Sequence, residues 1–417
     1  MTRDLQPARR IAIACGGTGG HLFPGFAVAE KLLQKGSAVM LLVSPKQVDQ
    51  QSLEQVTRAE ILTLPAVGLA RGQALLFLRG FYLSYRAAKR SFNARPPGAA
   101  LATGGFTSAA PILAAKRCGA HTFLHESNTI PGRANRWLSR IVEQVFVGFP
   151  SAAERLHCRS TVVTGTPVRA RIHPRDPGVC RTALGLDPSR GVVLVMGGSQ
   201  GARAINQLVV QSLPSFAATN PDWQWLHLAG PTDCEAIKVA YSSLNLTAIV
   251  RPFMTDMDVA LGAATAAISR AGASSLAELA AMRLPALLLP YPKATDNHQF
   301  FNARAFERSG AACLLQQHTA TSEELGRQLR QIMEDSHARQ RMQRALAHWD
   351  TPAAADQIAT AILKALGMDV QSANAGTGTE TRNSPISGEL NHRSAQREAP
   401  RAQELAGCLK PGGVAWT

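Results

Sequence analysis

Ile11-Ala-Ile-Ala-Cys-Gly-Gly-Thr-Gly-Gly-His21 sets a short apolar run directly against a glycine-rich loop, and Phe26, Ala27, Leu32 and Leu33 then follow at helical spacing. Val193-Leu-Val-Met-Gly-Gly-Ser-Gln-Gly-Ala-Arg203 repeats the device in the second half of the chain. Each is a buried strand running into Gly-Gly-hydroxyl-x-Gly and then a helix, the unit from which parallel α/β layers are built. Further apolar runs at Val39–Val43, Ala99–Thr103, Val162–Gly165, Ala248–Arg251, Ala266–Ser269 and Ala286–Pro290 extend the pattern. The fold class expected is therefore α/β, with two related doubly wound parallel-sheet domains facing a cleft. Their junction falls near 165–190, where Asp176, Pro177 and Gly178 read as a linker. Helical spacing at Glu323–Ile332 and Ala353–Leu366 closes the periodic part.

The glycine loops carry the first chemical hint. Glycines after a strand let backbone N–H groups approach a ligand, and the helix that follows supplies partial positive charge for a phosphate or an oxyanion. The spacing matches neither GxGxxG nor GxxxxGK[ST], which removes support from dinucleotide and P-loop readings. His21, at a helix start beside such a loop, is placed to act as a general base on a hydroxyl. In the second loop Ser199 offers a hydroxyl, and Gly197, Gly198 and Gly201 expose amides to a diphosphate. Ser269-Arg-Ala-Gly-Ala-Ser-Ser-Leu-Ala-Glu278 is a third strand-to-helix loop, with Glu278 about one turn in, where it would accept both hydroxyls of a ribose or serve the helix dipole. Asp296-Asn-His-Gln299 opens a fourth helix toward the same cleft. Asp256-Met-Asp258 has the spacing of a metal-nucleotide motif but reads as the cap and first turn of a helix, so no metal site is expected.

Composition narrows the function classes. The 417 residues include 44 Lys+Arg and 29 Asp+Glu, a net charge of +15, and the pI is about 10.1. Residues 1–165 hold 20 Lys+Arg against 8 Asp+Glu, net +12, whereas 166–370 hold 19 against 17, net +2. The basicity thus belongs to the first half, as expected for a local anionic partner. With aromatics at 6% and no stacking-residue, zinc or basic-helix pattern, a nucleic-acid-binding function is a weak alternative. From Val67 to Arg90 the chain combines Leu69, Leu75, Leu76, Phe77, Leu78, Phe81, Tyr82 and Leu83 with Arg71, Arg79, Arg86, Lys89 and Arg90 and contains no acid. That stretch predicts attachment to an anionic membrane surface, against an ordinary helix with a basic face. The apolar run at Ile11 is too short for a signal peptide, and no stretch reads as a transmembrane helix. Seven singly scattered cysteines fit a reducing compartment. Residues 371–417 are polar and aperiodic and read as a disordered tail.

With Gly104-Gly-Phe-Thr-Ser-Ala-Ala-Pro111, His125-Glu-Ser-Asn-Thr-Ile-Pro-Gly-Arg-Ala-Asn135 and Gly165-Thr-Pro-Val-Arg169, these loops resemble the MurG family of peptidoglycan synthesis, in order from about Arg10 to Leu366. The resemblance implies a GT-B fold of two Rossmann-like domains. It also implies an inverting transferase that moves GlcNAc from UDP-GlcNAc to the 4-hydroxyl of undecaprenyl-pyrophosphoryl-MurNAc-pentapeptide, without a cofactor, in peptidoglycan synthesis. The domains expected are 1–165 for the acceptor and membrane, 166–350 for UDP-GlcNAc, a helix at 351–370 packing back on the first domain, and the tail. Ser199 and Arg169 would meet the nucleotide's charge, the backbone at Met254 would face uracil, and Glu278 would hold the ribose. Ala273, Ser274, Ser275, Leu276 and Ala277 would line the approach. Thr18, Gly19, Gly20, Asn128 and Gln299 would touch GlcNAc. His21 is the expected base, with Glu126 as an alternative base or support and His125 a further rival. The implied location is the cytoplasmic face of the inner membrane, peripherally, with a cell-wall synthesis complex as candidate partner. Ser127, Thr166 and Phe106 depart from the Gln, Asn and Tyr usual in the family. The alternative enzyme reading is another GT-B transferase making a glycolipid from a different UDP-sugar.

Overall fold

The computed structural model describes residues 10–17, 19–46, 49–50, 58–68, 72–198 and 202–368. The opening apolar run forms β1 (Arg10–Ala14), buried at every position because a parallel strand is covered on both faces. With β2 (Ala38–Val43), β3 (Glu60–Thr63), β4 (Ala99–Ala102), β5 (His121–Glu126), β6 (Gln144–Val147) and β7 (Thr161–Val163) it makes a parallel sheet in the order β3-β2-β1-β4-β5-β6-β7. Ile11 lies opposite Val39 on one side and Ala99 on the other. The strand order reverses between β1 and β4, so a crevice opens at their carboxyl ends. The helices described with this sheet are α1 (Gly19–Gln34), α2 (Ala74–Ala94), α3 (Ala109–Arg117), α4 (Arg133–Leu138) and α5 (Pro150–Ala153).

A second parallel sheet contains β8 (Val192–Met196), β9 (Gln224–Leu228), β10 (Ala248–Arg251), β11 (Ala266–Ser269), β12 (Ala286–Leu288) and β13 (Cys313–Leu314). Its order, β10-β9-β8-β11-β12-β13, repeats the permutation of the first six strands, with β8 in the place of β1. Its helices are α6 (Pro177–Leu184), α7 (Arg203–Thr219), α8 (Cys234–Ser242), α9 (Met257–Ala263), α10 (Ala273–Ala281), α11 (His298–Arg308), α12 (Ser322–Glu334) and α13 (Ser336–Trp349). The last, α14 (Ala354–Ala365), returns to the first lobe. Its Ile358, Ala359, Ile362 and Leu363 share one buried cluster with Ile11, Ile13, Leu22 and Leu32. Lys35 and Asp356 pair at 3.0 Å beside that seam.

The predicted strands are present, most shifted by a residue or two. β3, β5, β6, β9 and β13 lie outside the sequence expectation. β5 (His-Thr-Phe-Leu-His-Glu) and β9 (Gln-Trp-Leu-His-Leu) bury polar side chains that interrupt the apolar pattern, while β13 has only two residues. Asp176-Pro177-Gly178 is not a free linker. Asp176 caps α6, its Oδ1 accepting the Val179 N–H at 2.9 Å, and Pro177 takes the first helical position. The tail expected to be disordered, 371–417, lies outside the described residues.

Candidate active site

β1 delivers Gly16 and Gly17 to the crevice, and α1 starts at Gly19, which puts His21 in the first helical turn. Its Nδ1 lies 3.0 Å from the Thr103 carbonyl at the end of β4. A carbonyl only accepts, so Nδ1 carries the proton and Nε2 of the neutral ring keeps its lone pair. Thr103 Oγ1 donates back to the His21 carbonyl at 2.6 Å. Gly104 and Gly105, at φ +106° and +79°, make the space for the ring. A Cβ at Gly104 would lie 2.7 Å from His21 Nδ1, and one at Gly105 3.0 Å from Cδ2. Burial holds the pKa of His21 below its ordinary value; the Glu126 carboxylate and the Thr103 carbonyl oppose that shift, His298 adds to it, and Asp49 opposes it weakly.

Glu126, at the end of β5, is buried and saturated. Oε1 accepts the backbone and side-chain N–H groups of Asn128 at 2.8 and 3.0 Å, and Oε2 accepts Gly132 N at 2.9 Å and Asn135 Nδ2 at 2.7 Å. This carboxylate folds the 126–135 loop around itself. His125 is fully buried: Nε2 donates to the Gly165 carbonyl at 3.0 Å and Nδ1 accepts from Ser127 Oγ at 3.3 Å. Burial pushes its pKa down to about 4. With both nitrogens engaged inside the lobe, His125 is corrected from rival base to a structural group, and Ser127 is its partner.

Across the cleft, β11 leads into α10, whose Ala273, Ser274, Ser275 and Glu278 line the opening. Leu276 faces the second-lobe core and Ala277 is outside the lining, so the helix turn narrows the sequence-expected stretch to one face. Met254 is likewise buried in that core. Arg169 has protein partners on both sides: Nη2 pairs with Glu278 Oε1 at 2.8 Å, and the guanidinium rests 4.2 Å from the centroid of Phe23. Ser274 Oγ donates to the Gly20 carbonyl at 3.0 Å. Gln299 Oε1 accepts the Tyr291 N–H at 2.9 Å. Gly19, Gly20, Asn128 and Gln299 all line the cleft. Thr18 and Ser199 lie outside the described residues.

Other cleft residues were not singled out from sequence. Fully buried Asn302 clasps the lobes, its Oδ1 accepting Thr129 N and Oγ1, each at 2.9 Å, and its Nδ2 donating to Asn128 Oδ1 at 3.0 Å and the Ala271 carbonyl at 3.2 Å. Arg136 and Asp296 form a second clasp. Lys46 Nζ donates to the Gly17 carbonyl at 2.9 Å and sits 5.0 Å from the centroid of Phe106, while Asp49 Oδ2 accepts Gly17 N at 2.7 Å. Asn302 lies three residues beyond the quoted Asp296–Gln299 stretch, and Lys46 and Asp49 follow β2 with no pattern to mark them. The cleft encloses about 1490 Å³. Its walls combine backbone amides, two imidazoles whose Nδ1 atoms each face a carbonyl (His21 on Thr103 at 3.0 Å, His298 on Thr295 at 2.8 Å), the Glu278 carboxylate paired with buried Arg169, and aromatic rings, a set suited to a phosphorylated sugar nucleotide and a hydroxyl acceptor.

Residues 11–147 match the N-terminal domain of glycosyltransferase family 28 and residues 192–358 match its C-terminal domain. The chain is a family 28 glycosyltransferase with the two-domain GT-B fold. It is 34% identical to the UDP-N-acetylglucosamine–N-acetylmuramyl-(pentapeptide) pyrophosphoryl-undecaprenol N-acetylglucosamine transferase of Anaeromyxobacter sp. (strain K), over 84% of this chain and 91% of that protein. Identity to the like-named transferase of Prochlorococcus marinus (strain MIT 9303) is 38%, over 78% and 87%. The crystal structure of Acinetobacter baumannii MurG superposes with a TM-score of 0.65 at 28% identity, covering 85% of this chain and 99% of that one. The calicheamicin glycosyltransferase CalG4, at 17% identity and TM-score 0.60, shares the fold over 87% and 100% of the two chains. The chain belongs to the family of UDP-N-acetylglucosamine–N-acetylmuramyl-(pentapeptide) pyrophosphoryl-undecaprenol N-acetylglucosamine transferases.

Proposed function

We propose that the cleft transfers GlcNAc from UDP-GlcNAc to the 4-hydroxyl of an undecaprenyl-pyrophosphoryl-MurNAc-peptide, with inversion at the anomeric carbon. The observation that carries the reading is the His21 tautomer, with Nδ1–H tied to Thr103 and Nε2 left as acceptor in a cleft lined from both lobes. In a single displacement the acceptor O4 attacks C1, the C1–O bond to UDP breaks, and the O4 proton passes to Nε2. Glu126 supports rather than replaces this base: its four hydrogen bonds hold the loop, and its charge favours the imidazolium that forms. Loop amides and helix N-termini take up the charge of the departing diphosphate.

On the donor side we assign Ser199 and the 197–201 amides to the diphosphate, Glu278 to the ribose, the backbone at Met254 to uracil, and Asn128, Gln299 and the 18–20 loop to GlcNAc. Arg169 acts through Glu278, orienting its carboxylate. The boundaries 1–165, 166–350 and 351–370 are proposed as acceptor domain, donor domain and returning helix.

The acceptor reaches the cleft from a membrane. In α2 the positions Gly80, Ser84, Ala88 and Phe92 face the core, while Leu75, Leu76, Leu78 and Tyr82 are 82%, 53%, 58% and 56% exposed. Exposed Arg79, Arg86, Lys89 and Arg90 flank them, and Phe77, Leu78 and Phe81 reach the cleft wall. No helix among the described residues is long and apolar enough to cross a membrane. We assign α2 to an anionic leaflet, on the cytoplasmic side where the nucleotide sugar is available, and within reach of other cell-wall enzymes. The decisive assay is transfer of labelled GlcNAc from UDP-GlcNAc to a lipid-pyrophosphoryl-MurNAc-peptide. Absence of product, or equal use of UDP-GalNAc and UDP-glucose, would overturn the assignment.

A further inference from the structure

A second cavity, of about 600 Å³, lies away from the cleft among α6, α9, the turn after α10, and α13. Its wall contains Arg175, Arg181, Arg283, Arg339 and Arg344 and, among the described residues, no carboxylate. This concentration is not a by-product of general basicity, because residues 166–370 hold 19 Lys+Arg against 17 Asp+Glu. Two of the five are paired from outside the wall, Arg175 with Asp258 at 2.7 Å and Arg283 with Asp350 at 2.9 Å. Arg181 and Arg339 are anchored by carbonyls instead: Arg181 Nε donates to Ala263 O at 2.9 Å, and Arg339 Nη1 to Met333 O at 2.6 Å. A carbonyl fixes a guanidinium without cancelling its charge. Asp176 and Asp187 act on Arg181 through space without an ion pair. Arg344 has no side-chain partner among the described residues.

The cavity therefore holds pre-oriented cations in excess of nearby anions, the arrangement that planar guanidinium forks use to bind oxyanions. Gln340, Gln343 and Thr265 add neutral polar groups, while Leu261, Met282 and Leu284 supply an apolar floor. Such a wall suits phosphoryl oxygens attached to a partly apolar body.

We propose that this cavity is a second binding site, separate from the cleft, for a phosphoryl-bearing ligand, either a soluble phosphorylated compound or the headgroup of an anionic phospholipid. The site does not depend on the reaction assigned to the cleft, and its test reads binding alone. The full chain, with UDP at saturation to occupy the cleft, is titrated calorimetrically with inorganic pyrophosphate. One equivalent bound by the wild type, and weakened at least about tenfold by Arg344→Glu, supports a soluble ligand. Arg344 is exposed and its side chain has no polar partner among the described residues, so an unchanged melting temperature separates lost binding from lost structure. In parallel, phosphatidylglycerol and phosphatidylcholine vesicles are offered to a protein whose α2 cations are reversed, with and without Arg344→Glu. Selective loss of phosphatidylglycerol binding in the Arg344→Glu protein supports the headgroup source. If Arg344→Glu changes neither pyrophosphate nor phosphatidylglycerol binding, or if neither binds, the proposal is wrong. Capture of an acidic peptide alone would also overturn it.

Discussion

The setting of the His21 side chain comes from one carbonyl and two missing Cβ atoms: Thr103 fixes the tautomer, and Gly104 and Gly105 leave the ring its place. Replacement by Ala should lower kcat by roughly 10²–10⁴ while the dissociation constant for UDP-GlcNAc stays near that of the wild type; near-normal turnover would exclude His21 as base. Burial lowers its pKa, so the ring stays neutral below the ordinary histidine range. The acid limb of the kcat/KM profile should accordingly have its midpoint below about 6.5, and a midpoint above that value would contradict the buried, neutral base. Glu278 makes a different prediction. Truncation to Ala would strand the Arg169 charge in a buried site, so Glu278→Gln is the cleaner probe. It should weaken UDP-GlcNAc binding by about tenfold or more, as expected for loss of a charged hydrogen-bond acceptor, and an unchanged Kd by calorimetry would remove the ribose assignment. The sequence marks His21, Glu126 and Glu278 because each stands beside a strand-to-helix junction with its own signature: His21 in the first turn of α1, Glu126 at the end of β5 and Glu278 within α10. The Arg169–Glu278 pairing was not, since the partners are 109 residues apart and only the fold brings them together.

Among the elements, α2 carries the sharpest conflict between burial and composition. A helix with Gly, Ser, Ala and Phe toward its core and five large apolar side chains outward (Leu75, Leu76, Leu78, Tyr82 and Leu83) has its surfaces arranged for two environments. Reversing Arg79, Arg86, Lys89 and Arg90 removes attractions worth roughly 1 kcal/mol each near an anionic surface before salt screening. Flotation with anionic vesicles should drop by at least an order of magnitude for that variant, and equal flotation of both proteins would detach α2 from the membrane. The stretch was readable because composition alone marks it. Strands such as β5 were not, because His121, Thr122, His125 and Glu126 break the apolar run. His125 and Glu126 hold the loops at the carboxyl end of the strand, while His121 pairs with Glu143 at 2.8 Å at its other end, so supporting polar contacts at both ends obscure its pattern. The two glycine loops, by contrast, announce the doubled architecture directly.

At the scale of the whole molecule, two buried histidines set an acid limit. His125 and His227 have pKa values held down to about 4 and about 3, chiefly by burial. Between those values and about 6.5 the unfolded chain takes up protons that the folded chain refuses, so stability must rise with pH across that window. At about pH 5 each site should cost about 2 kcal/mol relative to neutral pH. Urea midpoints measured at about pH 7 and about pH 5 test this, and equal midpoints would show that the two rings are charged in the fold. The returning helix α14 has a consequence of another kind. The core around β1 includes Ile358, Ile362 and Leu363, more than 300 positions downstream of Ile11. A ribosome making this chain emits β1 early, but the apolar side of that strand and of α1 waits for almost the whole described chain before its cover arrives. The first lobe is begun first and finished last, and in the interval the nascent chain presents an uncovered apolar seam that a chaperone or the second lobe must keep from sticking elsewhere.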